Sequence, residues 1–327
     1  MKVDGFARDI LAAPERLATL VERYGGTASP LAALPTEVRR VVFIGMGSSR
    51  FAALPAAALL RSRGFDAVAE VASSGLATAP SRDTLAIGIS ATGGSEETIE
   101  ALERHRGVSR TIAVTNNPDG RIAASADTVL PLHAGIEEGG VACLTFQATL
   151  ALLQLVAARL TPGGPTTTNL EPAIAAATAL RETRTAWLPE LVDRIARAHT
   201  TYTIAPAERL SSALQSALML REGPRLPAVA TETGDWLHID VYLSKRPGYT
   251  ALLFPGSRYD DGVMGYARER GSTIVAIGRT VEGAALSIPI RSADDPLVAL
   301  LVETGVAELV AAELWLEGIR TGDPALV

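Results

Sequence analysis

The sequence of 327 residues contains few cysteines, lysines and histidines. Its single cysteine, Cys143, excludes an intrachain disulfide. Its two lysines, Lys2 and Lys245, are the only side chains that could form a Schiff base, which needs a deprotonatable amine. The four histidines do not combine with cysteine or carboxylate residues in a spacing that is typical of metal sites. We therefore expect neither a metal ion nor another cofactor.

Long apolar runs and an excess of positive charge are also missing. The longest apolar stretch, residues 144–160, is interrupted by Gln147, Gln154 and Arg159, so it predicts a buried helix and not a membrane span. The opening MKVDGFARDI lacks a basic and then apolar leader, which predicts a cytoplasmic protein. The formal net charge of -6 gives no electrostatic reason to bind nucleic acid. We expect a small-molecule ligand, and neither a nucleic acid nor a membrane as partner.

Short β-branched runs alternate with helical patterns along the whole chain. Hydrophobic residues make up 47% of the sequence but aromatic residues only 5%, which favours helices packed around sheets. In the first half we predict strands at 41–44, 68–71, 85–89, 111–114 and 128–132, and helices at 49–64, 95–106 and 141–160. Strands of this uniformly apolar kind, separated by helices, predict a parallel sheet with helices on both faces.

The second half repeats the pattern of the first. TIAVTN at 111–116 is similar to TIVAIG at 273–278, and VLPL at 129–132 is similar to SIPI at 287–290. Such ordered similarity predicts a duplicated α/β domain. The turn-rich segment 161–169 reads as the linker, and one long helix is expected over 171–199. The predicted organisation is a helical segment at 1–30, a first domain at 31–165 and a second at 166–327.

Two strand-to-helix turns of the first half are rich in glycine and hydroxyl groups. They read GMGSS at 45–49 and SATGGS at 90–95, and Ser95 is the expected N-cap of the next helix. Free amides and small hydroxyls at a helix N-terminus suit a phosphate group, although the acids Glu96 and Glu97 would repel it. A well-capped turn without any ligand explains the same residues. The candidate phosphate donors are Ser48, Ser49, Ser90, Thr92 and Ser95.

The corresponding strand ends of the second half have lost most of these residues. They read IAPAE at 204–208 and FPGSR at 254–258, so we expect one competent anion site in each chain. The first turn is not a dinucleotide-binding motif, because Arg50 stands where the third glycine belongs. No Gly-Lys-Ser/Thr sequence follows it either, which excludes a Walker loop.

The order IGMGSS, ISATGGSEET and TNNPDGRIAASADTVLPLHAGIEEGGVA resembles the sugar isomerase (SIS) domain family, above all the isomerase half of glucosamine-6-phosphate synthase and the related sugar-phosphate deaminases. The resemblance continues through residues 211–240 and so implies two tandem SIS domains. Each would be a parallel five-stranded sheet flanked by helices in a three-layer, flavodoxin-like α/β fold. It also implies a homodimer, phosphate binding by the five hydroxyls above, and further substrate contacts at Gly47, Gly93 and Ala142.

Glu222 and His238 are the candidate acid–base residues. An aldose–ketose interconversion needs a base that moves a proton between C1 and C2, and a group that opens the sugar ring. From their positions alone, the favoured interpretations are a solvated glutamate at a helix end and a structural histidine. The resemblance assigns proton transfer to Glu222 and ring opening to His238, which would reach across the dimer interface into the neighbouring site.

Several residues depart from the family pattern. Ala91 stands where a glutamine usually contacts the phosphate, while Gln215 and Met219 replace a glutamate and a lysine. The lysine that forms an imine with the open-chain sugar is missing from the terminal sequence GDPALV. Since the chain begins directly with MKVDGFARDI, we expect no glutaminase domain.

These observations favour a phosphosugar isomerase or deaminase-like enzyme that acts on a hexose or aminohexose 6-phosphate through an enediol-type intermediate. The lost lysines and Gln215 leave open a non-catalytic sugar-phosphate sensor. A relative of the phosphoglucose/phosphomannose isomerases is a third reading, which draws on the Ser-Glu-Glu-Thr run at 95–98.

Overall fold

The computed structural model of the chain describes residues 1–26, 29–35 and 37–321. The terminal sequence 322–327, from which the family lysine is missing, lies outside the described residues. The described residues form two compact units. The first-sheet unit comprises Glu15–Ile136 and Leu144–Glu171. The second-sheet unit comprises Met1–Pro14, Glu137–Cys143 and the described residues from Pro172 onward.

The first-sheet unit is a parallel α/β sandwich. Its strands are β1 (Arg40–Gly45), β2 (Asp66–Val71), β3 (Thr84–Ile89), β4 (Arg110–Thr115) and β5 (Thr128–Pro131). Its helices are α2 (Gly47–Ser62), α3 (Glu96–Glu103) and α4 (Leu144–Leu160), together with the part of α1 (Val3–Gly25) that begins at Glu15. The strand order is β2-β1-β3-β4-β5, and all pairs are parallel. This confirms the predicted fold class for the first half.

The register of the first sheet places the ends of β1 and β3 side by side. Ile44 pairs with Gly88, so the residues that follow each strand emerge at the same edge of the sheet. β3 is buried along its whole length, as expected for a central parallel strand. α4 is also buried almost throughout, which agrees with the buried helix predicted there. Among the helices of the described residues, none is both long and apolar enough to cross a membrane.

The second-sheet unit repeats the same topology. Its strands are β6 (Thr201–Ala205), β7 (Ala228–Glu232), β8 (Thr250–Leu253), β9 (Thr273–Gly278) and β10 (Leu286–Pro289). Its helices are α5 (Glu171–Glu182), α6 (Leu188–Ala196), α7 (Leu210–Glu222), α8 (Thr233–His238), α9 (Asp260–Arg270), α10 (Pro296–Val302) and α11 (Thr304–Thr321). The strand order β7-β6-β8-β9-β10 is that of the first sheet, strand for strand. The duplication read from the sequence is therefore present in the topology.

The prediction of one long helix over 171–199 was wrong, because the chain forms two helices there, α5 and α6. A short 3-10 turn, Arg184–Ala186, separates the two helices, and Pro189 lies in the first turn of α6. A proline has no N–H group, and its ring would collide with the preceding turn if the helix continued through it. The apolar pattern alone did not reveal this break.

The two faces of the second sheet carry different helices. Along β6, Tyr202 and Ile204 point into a core with Trp236 of α8 and Val263 of α9. The intervening Thr203 points the other way, and its hydroxyl donates to the carbonyl of Ala213 in α7 at 2.8 Å. Since side chains of a strand alternate between faces, α7 and α8 lie on opposite sides of the sheet.

A buried ion pair lies beside the N-terminus of α7. The Arg209 guanidinium donates to the carboxylate of Glu303, which has no solvent exposure, and to the carbonyl of Pro255. Burial raises the pKa of Glu303, and the positive charge of Arg209 opposes that rise. The arginine therefore compensates a carboxylate that has no access to water.

Replacing Arg209 should destabilise the protein, because the buried charge of Glu303 would lose its partner. We expect R209M to lower the free energy of unfolding by about 3–5 kcal/mol, because Glu303 is left buried without a partner. The double variant R209M/E303M removes both charges and should recover most of the loss. Urea denaturation of the three proteins measures both effects, and an R209M protein as stable as the parent would contradict the assignment.

Candidate functional site

The first glycine-rich turn opens α2 directly after β1. Gly47 adopts φ of 49°, in the left-handed region that a glycine enters without steric cost. Met46 precedes it in an extended conformation and provides no side-chain cap, so the first amides of α2 have no side-chain acceptor. Ser48 and Ser49 are partly exposed, and neither hydroxyl has a hydrogen-bond partner among the described residues. The turn thus presents two hydroxyl groups and a helix N-terminus that are available to an anion.

The second turn, between β3 and α3, is held by its own hydroxyl groups. The buried Ser90 hydroxyl accepts the Ser95 amide at 3.3 Å, and the Thr92 hydroxyl accepts the Gly94 amide at 3.3 Å. Ser95 is the N-cap of α3, as predicted, since its hydroxyl accepts the amide of Thr98 at 3.4 Å. Each of these oxygens accepts one hydrogen bond within the turn, which leaves the hydroxyl protons of Ser90 and Thr92 free to be donated to a ligand.

The two acids in the first turn of α3 are both paired. Arg121 donates to Glu96, with 2.6 Å between Nη1 and Oε1, and this contact lowers the pKa of the Glu96 carboxyl. Glu97 accepts the hydroxyl of Ser95 at 3.0 Å. The repulsion that the sequence suggested is therefore reduced at Glu96, while at Glu97 an anion would have to displace the carboxylate from Ser95.

The loop after β4 packs against the second turn and forms hydrogen bonds with its backbone. Gly93 has φ of 72°, and a Cβ atom placed on it would lie 2.9 Å from Cα of Gly120. The Asn116 amide N–H donates to the carbonyl of Ala91 at 3.0 Å, and the Ile122 amide donates to that of Gly93 at 3.0 Å. The close approach of two glycines thus fixes the backbone that carries the candidate donors.

The corresponding position of the second-sheet unit is filled by the protein itself. After β8, the amides of Gly256 and Ser257 donate to Oδ2 of Asp260 at 2.6 and 3.1 Å. Arg209 lies under the same loop, bonded to Pro255 and Glu303. An internal carboxylate thus takes the amides that an anion would need, in agreement with the loss of glycines and hydroxyls seen in the sequence.

Glu222 is the last residue of α7 and is half-buried. Its carboxylate forms no hydrogen bond or ion pair among the described residues, since the neighbouring Arg221 turns back to the carbonyl of Ala217 at 3.2 Å. Burial raises the pKa of Glu222, and the charge of Arg221 opposes the rise only in part. An unpaired carboxylate with a raised pKa has the properties of a general base.

His238 is the last residue of α8 and is exposed. The Glu232 side chain caps α8 by accepting the Asp235 amide at 2.9 Å. The fully buried Trp236 anchors the helix, because its Nε1 donates to the hydroxyl of Tyr249 at 2.7 Å. The imidazole itself has no hydrogen-bond partner among the described residues. The helix is thus firmly placed while its histidine is free.

The structure brings together only some of the predicted residues. The two hydroxyl-rich turns lie at adjacent strand ends in one unit. Glu222 and His238 belong to the other unit, where α7 and α8 lie on opposite faces of the sheet. Helices on the two faces are roughly 20 Å apart, twice the packing distance of a helix layer on a sheet. These two residues therefore do not meet within one second-sheet unit.

Comparison with known proteins agrees with this architecture. Residues 36–159, which include both hydroxyl-rich turns, match the SIS domain. This part of the chain therefore has the sequence pattern of a SIS domain. It is 29% identical to the glutamine–fructose-6-phosphate aminotransferase (isomerizing) of Thermus thermophilus over 324 residues, which is 90% of this chain and 52% of that protein. The chain thus spans about half the length of the curated relatives that it matches over most of its own length.

Solved structures show the same fold over the whole chain. The C-terminal domain of the Francisella tularensis glucosamine-fructose-6-phosphate aminotransferase superposes with a TM-score of 0.81 at 15% identity, and 95% of each chain is covered. The Escherichia coli tagatose-6-phosphate ketose/aldose isomerase gives 0.81 at 16% identity, covering 99% of this chain and 95% of that one. The chain thus shares the fold of these proteins over nearly its whole length, as the sequence resemblance implied.

In the second-sheet unit, the sequence did not reveal one contact. Nε2 of Gln215, in α7, donates to the carbonyl of Ala142 at 2.7 Å. Ala142 belongs to the segment Glu137–Cys143, which the structure groups with the second sheet although it precedes α4. The replacement of the family glutamate at this position was visible in the sequence, but its partner lies 73 residues away along the chain.

A buried charge cluster also lies near the segment Glu137–Cys143. Glu308 of α11 is buried, and burial raises its pKa to about 7. The negative charge of Glu137 strengthens the rise, whereas Arg181 opposes it. Arg181 is itself buried and donates to the carbonyl of Ile10 at 2.6 Å. The positive charge of Arg181 therefore partly compensates the buried carboxyl of Glu308.

Replacing Gly93 tests the second glycine-rich turn. We expect G93A to lower the free energy of unfolding by about 1–3 kcal/mol and to weaken binding of inorganic phosphate, because alanine disfavours this φ and would collide with Gly120. The matched control is G94A, since Gly94 lies outside the left-handed region and a Cβ there has room. Urea denaturation and phosphate titration measure the two variants, and equal effects of both would contradict this account.

Glu308 should make stability depend on pH. Its pKa in the folded protein lies above its ordinary value, so its contribution is complete below about pH 4.5 and is lost as the pH rises through about 7. We expect this one carboxyl to remove up to about 3 kcal/mol of stability across that range, and E308Q to flatten the profile by that amount. The exposed Glu313 on the same helix provides the control, E313Q. Urea denaturation at several pH values gives the slopes, and parallel profiles for E308Q and the parent would refute the assignment.

Proposed function

We propose that this SIS-domain protein is a phosphosugar isomerase or deaminase-type enzyme that acts on a hexose or aminohexose 6-phosphate. The observation that carries the proposal is a pair of adjacent helix N-termini rich in free hydroxyls, on a chain that also keeps an unpaired, half-buried carboxylate. The relatives named above take part in reactions of sugar 6-phosphates, which agrees with this substrate class.

The phosphate group would bind at the two turns of the first-sheet unit. A dianion there would accept hydrogen bonds from Ser48 and Ser49 of the first turn and from Ser90, Thr92 and Ser95 of the second. The positive ends of α2 and α3 favour the same charge. Gly47 and Gly93 let the backbone amides approach the ligand closely. Ala91 offers no side-chain donor, so this site would hold its phosphate with one contact fewer than the family pattern.

Glu222 would act as the base of the isomerisation. Its carboxylate removes the proton from C2 of the open-chain aldose while the C1 carbonyl oxygen takes up a proton, which gives an enediol. Return of the proton to C1, with loss of the proton from the C2 hydroxyl, yields the ketose. A raised pKa matches the carboxyl better to this two-way transfer near neutral pH. His238 would first open the ring by moving a proton between the anomeric hydroxyl and the ring oxygen.

The separation of Glu222 and His238 supports a homodimer. Because α7 and α8 lie on opposite faces of their sheet, His238 would serve a substrate held by a second copy of the chain. Its exposed position at the end of an anchored helix suits that role. Homodimer formation and a cytoplasmic location stay predictions from the sequence and its resemblance.

A sugar-phosphate sensor is the second candidate function. It is favoured by Gln215 and Met219, which replace two ionisable residues of the family with neutral ones. Lys245 ends a 3-10 segment, Asp240–Lys245, and is exposed. A sensor would keep the phosphate turns but would not exchange the proton at C2.

A binding panel followed by isotope exchange separates the two functions. Purified protein is heated with a series of hexose and aminohexose 6-phosphates, and a ligand is recognised by a rise in the melting temperature. Proton NMR in heavy water then follows the C2 proton of each aldose and the C1 protons of each ketose. Loss of either signal identifies the enzyme, whereas stabilisation without exchange identifies the sensor. A panel without any stabilising sugar phosphate would refute both.

Replacing Glu222 by glutamine tests its role as the base. We expect E222Q to slow proton exchange by about 10²–10⁴-fold, because the amide cannot accept the C2 proton. Binding of the sugar phosphate should stay within about twofold of the parent, since the phosphate contacts are unchanged. The exposed Glu269 provides a matched control in the same unit, and E269Q should exchange at the parent rate. Normal exchange by E222Q would remove Glu222 from the mechanism.

A further inference from the structure

Glu96 and Asp260 occupy the same position in the two copies of the fold. Strands β3 and β8 correspond in the shared strand order, and they end at Ile89 and Leu253. Seven residues further along the chain, at 96 and at 260, stands an acid that is the first residue of the next helix. The two acids therefore start from equivalent places in the backbone.

In the second-sheet unit the acid folds back onto its own turn. Oδ2 of Asp260 accepts the amides of Gly256 and Ser257 at 2.6 and 3.1 Å. The next acid, Asp261, forms no hydrogen bond or ion pair with the described residues. It is therefore the first residue of the helix that reaches the backbone donors which a bound anion would use.

In the first-sheet unit the corresponding amides are open. The amide of Thr92, which lies as far after β3 as Gly256 lies after β8, has no acceptor among the described residues. The amides of Glu96 and Glu97 have none there either, as is usual in the first turn of a helix. Glu96 leaves these amides free, although its side chain is longer than that of Asp260.

Arg121 accounts for this difference. Its guanidinium holds both carboxylate oxygens of Glu96, with 2.6 Å between Nη1 and Oε1 and 2.5 Å between Nη2 and Oε2. The backbone on either side of the arginine is fixed to the second turn. A Cβ atom on Gly120 would lie 2.8 Å from Cα of Gly93, and the Ile122 amide donates to the carbonyl of Gly93 at 3.0 Å.

The second-sheet unit has no counterpart of this arginine. Arg121 lies six residues after the end of β4, and the residue six positions after the end of β9 is Ala284. The charge of Arg209 does act on Asp260, but its guanidinium donates to other groups. Among the described residues, Asp260 is thus not drawn away from its turn by an arginine.

The exposure of the Arg121–Glu96 pair argues against a main role in folding. Each side chain is 62% exposed, and ion pairs with this exposure contribute little to stability. The location of the pair matters more, because Glu96 is in the first turn of α3. The positive end of a helix attracts a carboxylate of its own as well as the anion of a ligand. A free Glu96 would therefore compete with a bound phosphate group.

We propose that Arg121 is a positioning residue that keeps the second turn open for a phosphate group by holding Glu96 away from it. Without the arginine, Glu96 would accept amides of its own turn as Asp260 does, and a ligand would have to displace it. The inference rests on the proposed function for its ligand, a phosphate group at this turn. The release of Glu96 does not depend on a ligand, so it is measured separately.

Hydrogen exchange of the ligand-free protein tests the position of Glu96. Peptides that cover residues 90–98 are compared by mass spectrometry in the parent, R121M, E96A and E96A/R121M. We expect R121M to slow exchange in this segment about tenfold, because the released carboxylate accepts its amides. The double variant has no carboxylate at 96 and should match E96A. Exchange in R121M that is no slower than in the parent would overturn the proposal, as would slow exchange that persists in the double variant.

Affinity for inorganic phosphate tests the consequence for binding. We expect R121M to bind phosphate about tenfold more weakly than the parent, and E96A and E96A/R121M to bind it alike, within about threefold of the parent. Recovery in the double variant separates positioning from a merely structural role. A double variant as weak as R121M would mean that the guanidinium itself contacts the phosphate, which overturns the proposal.

The matched control removes an arginine of the same unit at the other edge of the sheet. Arg40 and Asp66 are the first residues of β1 and β2, and they form an exposed pair at 2.6 Å. R40M makes the same change of charge far from the carboxyl ends of the strands, so phosphate affinity should stay within about twofold of the parent. A loss equal to that of R121M would assign the effect to net charge and overturn the role of Arg121.

Failure of this inference and failure of the proposed function give different results. A parent protein that binds neither inorganic phosphate nor any hexose 6-phosphate refutes the proposed function, while the exchange data still decide whether Arg121 holds Glu96. A parent that binds phosphate no better than R121M refutes the role of Arg121 and leaves the proposed function intact.

Discussion

The candidate phosphate site depends on the parallel register of two neighbouring strands. Because β1 and β3 run in the same direction and pair without offset, the two turns that follow them emerge together at one edge of the sheet. Each turn opens a helix, so two partial positive charges meet there, and the first amides of α2 have no side-chain acceptor. The hydroxyls of Ser48, Ser49 and Ser90 only add to an electrostatic environment that the topology has already created. An antiparallel pair would have sent the two turns to opposite edges.

Local sequence predicted most of this arrangement. The apolar runs marked the strands of the first sheet, Ser95 was recognisable as an N-cap, and the duplicated segments implied the topology that both sheets share. The features that escaped prediction depend on distant residues or on a single stereochemical fact. The contact of Gln215 with Ala142 joins segments far apart in the chain, and Pro189 breaks a helix whose apolar pattern continues across it. Periodicity carries information about neighbours and not about such partners.

The two faces of the second sheet carry different candidate residues, because α7 and α8 cover opposite faces. Strand β6 lies between β7 and β8, so the connection through α7 and the connection through α8 run in opposite directions across the sheet. Since such connections are right-handed, their helices cover opposite faces. The strand order therefore separates Glu222 from His238, and a change of side-chain conformation within the unit cannot bring them together. Within one second-sheet unit, the two groups therefore lie on different sides of the sheet.

The two copies of the fold differ in the groups that accept hydrogen bonds from the backbone amides of their turns. In the second-sheet unit the amides of Gly256 and Ser257 are occupied permanently by Asp260, so this half carries its own counter-anion. The first-sheet unit has no such built-in acid at Ser48 and Ser49. A ligand of these turns would thus stabilise one half only. The stability of that half would then depend on the concentration of the ligand.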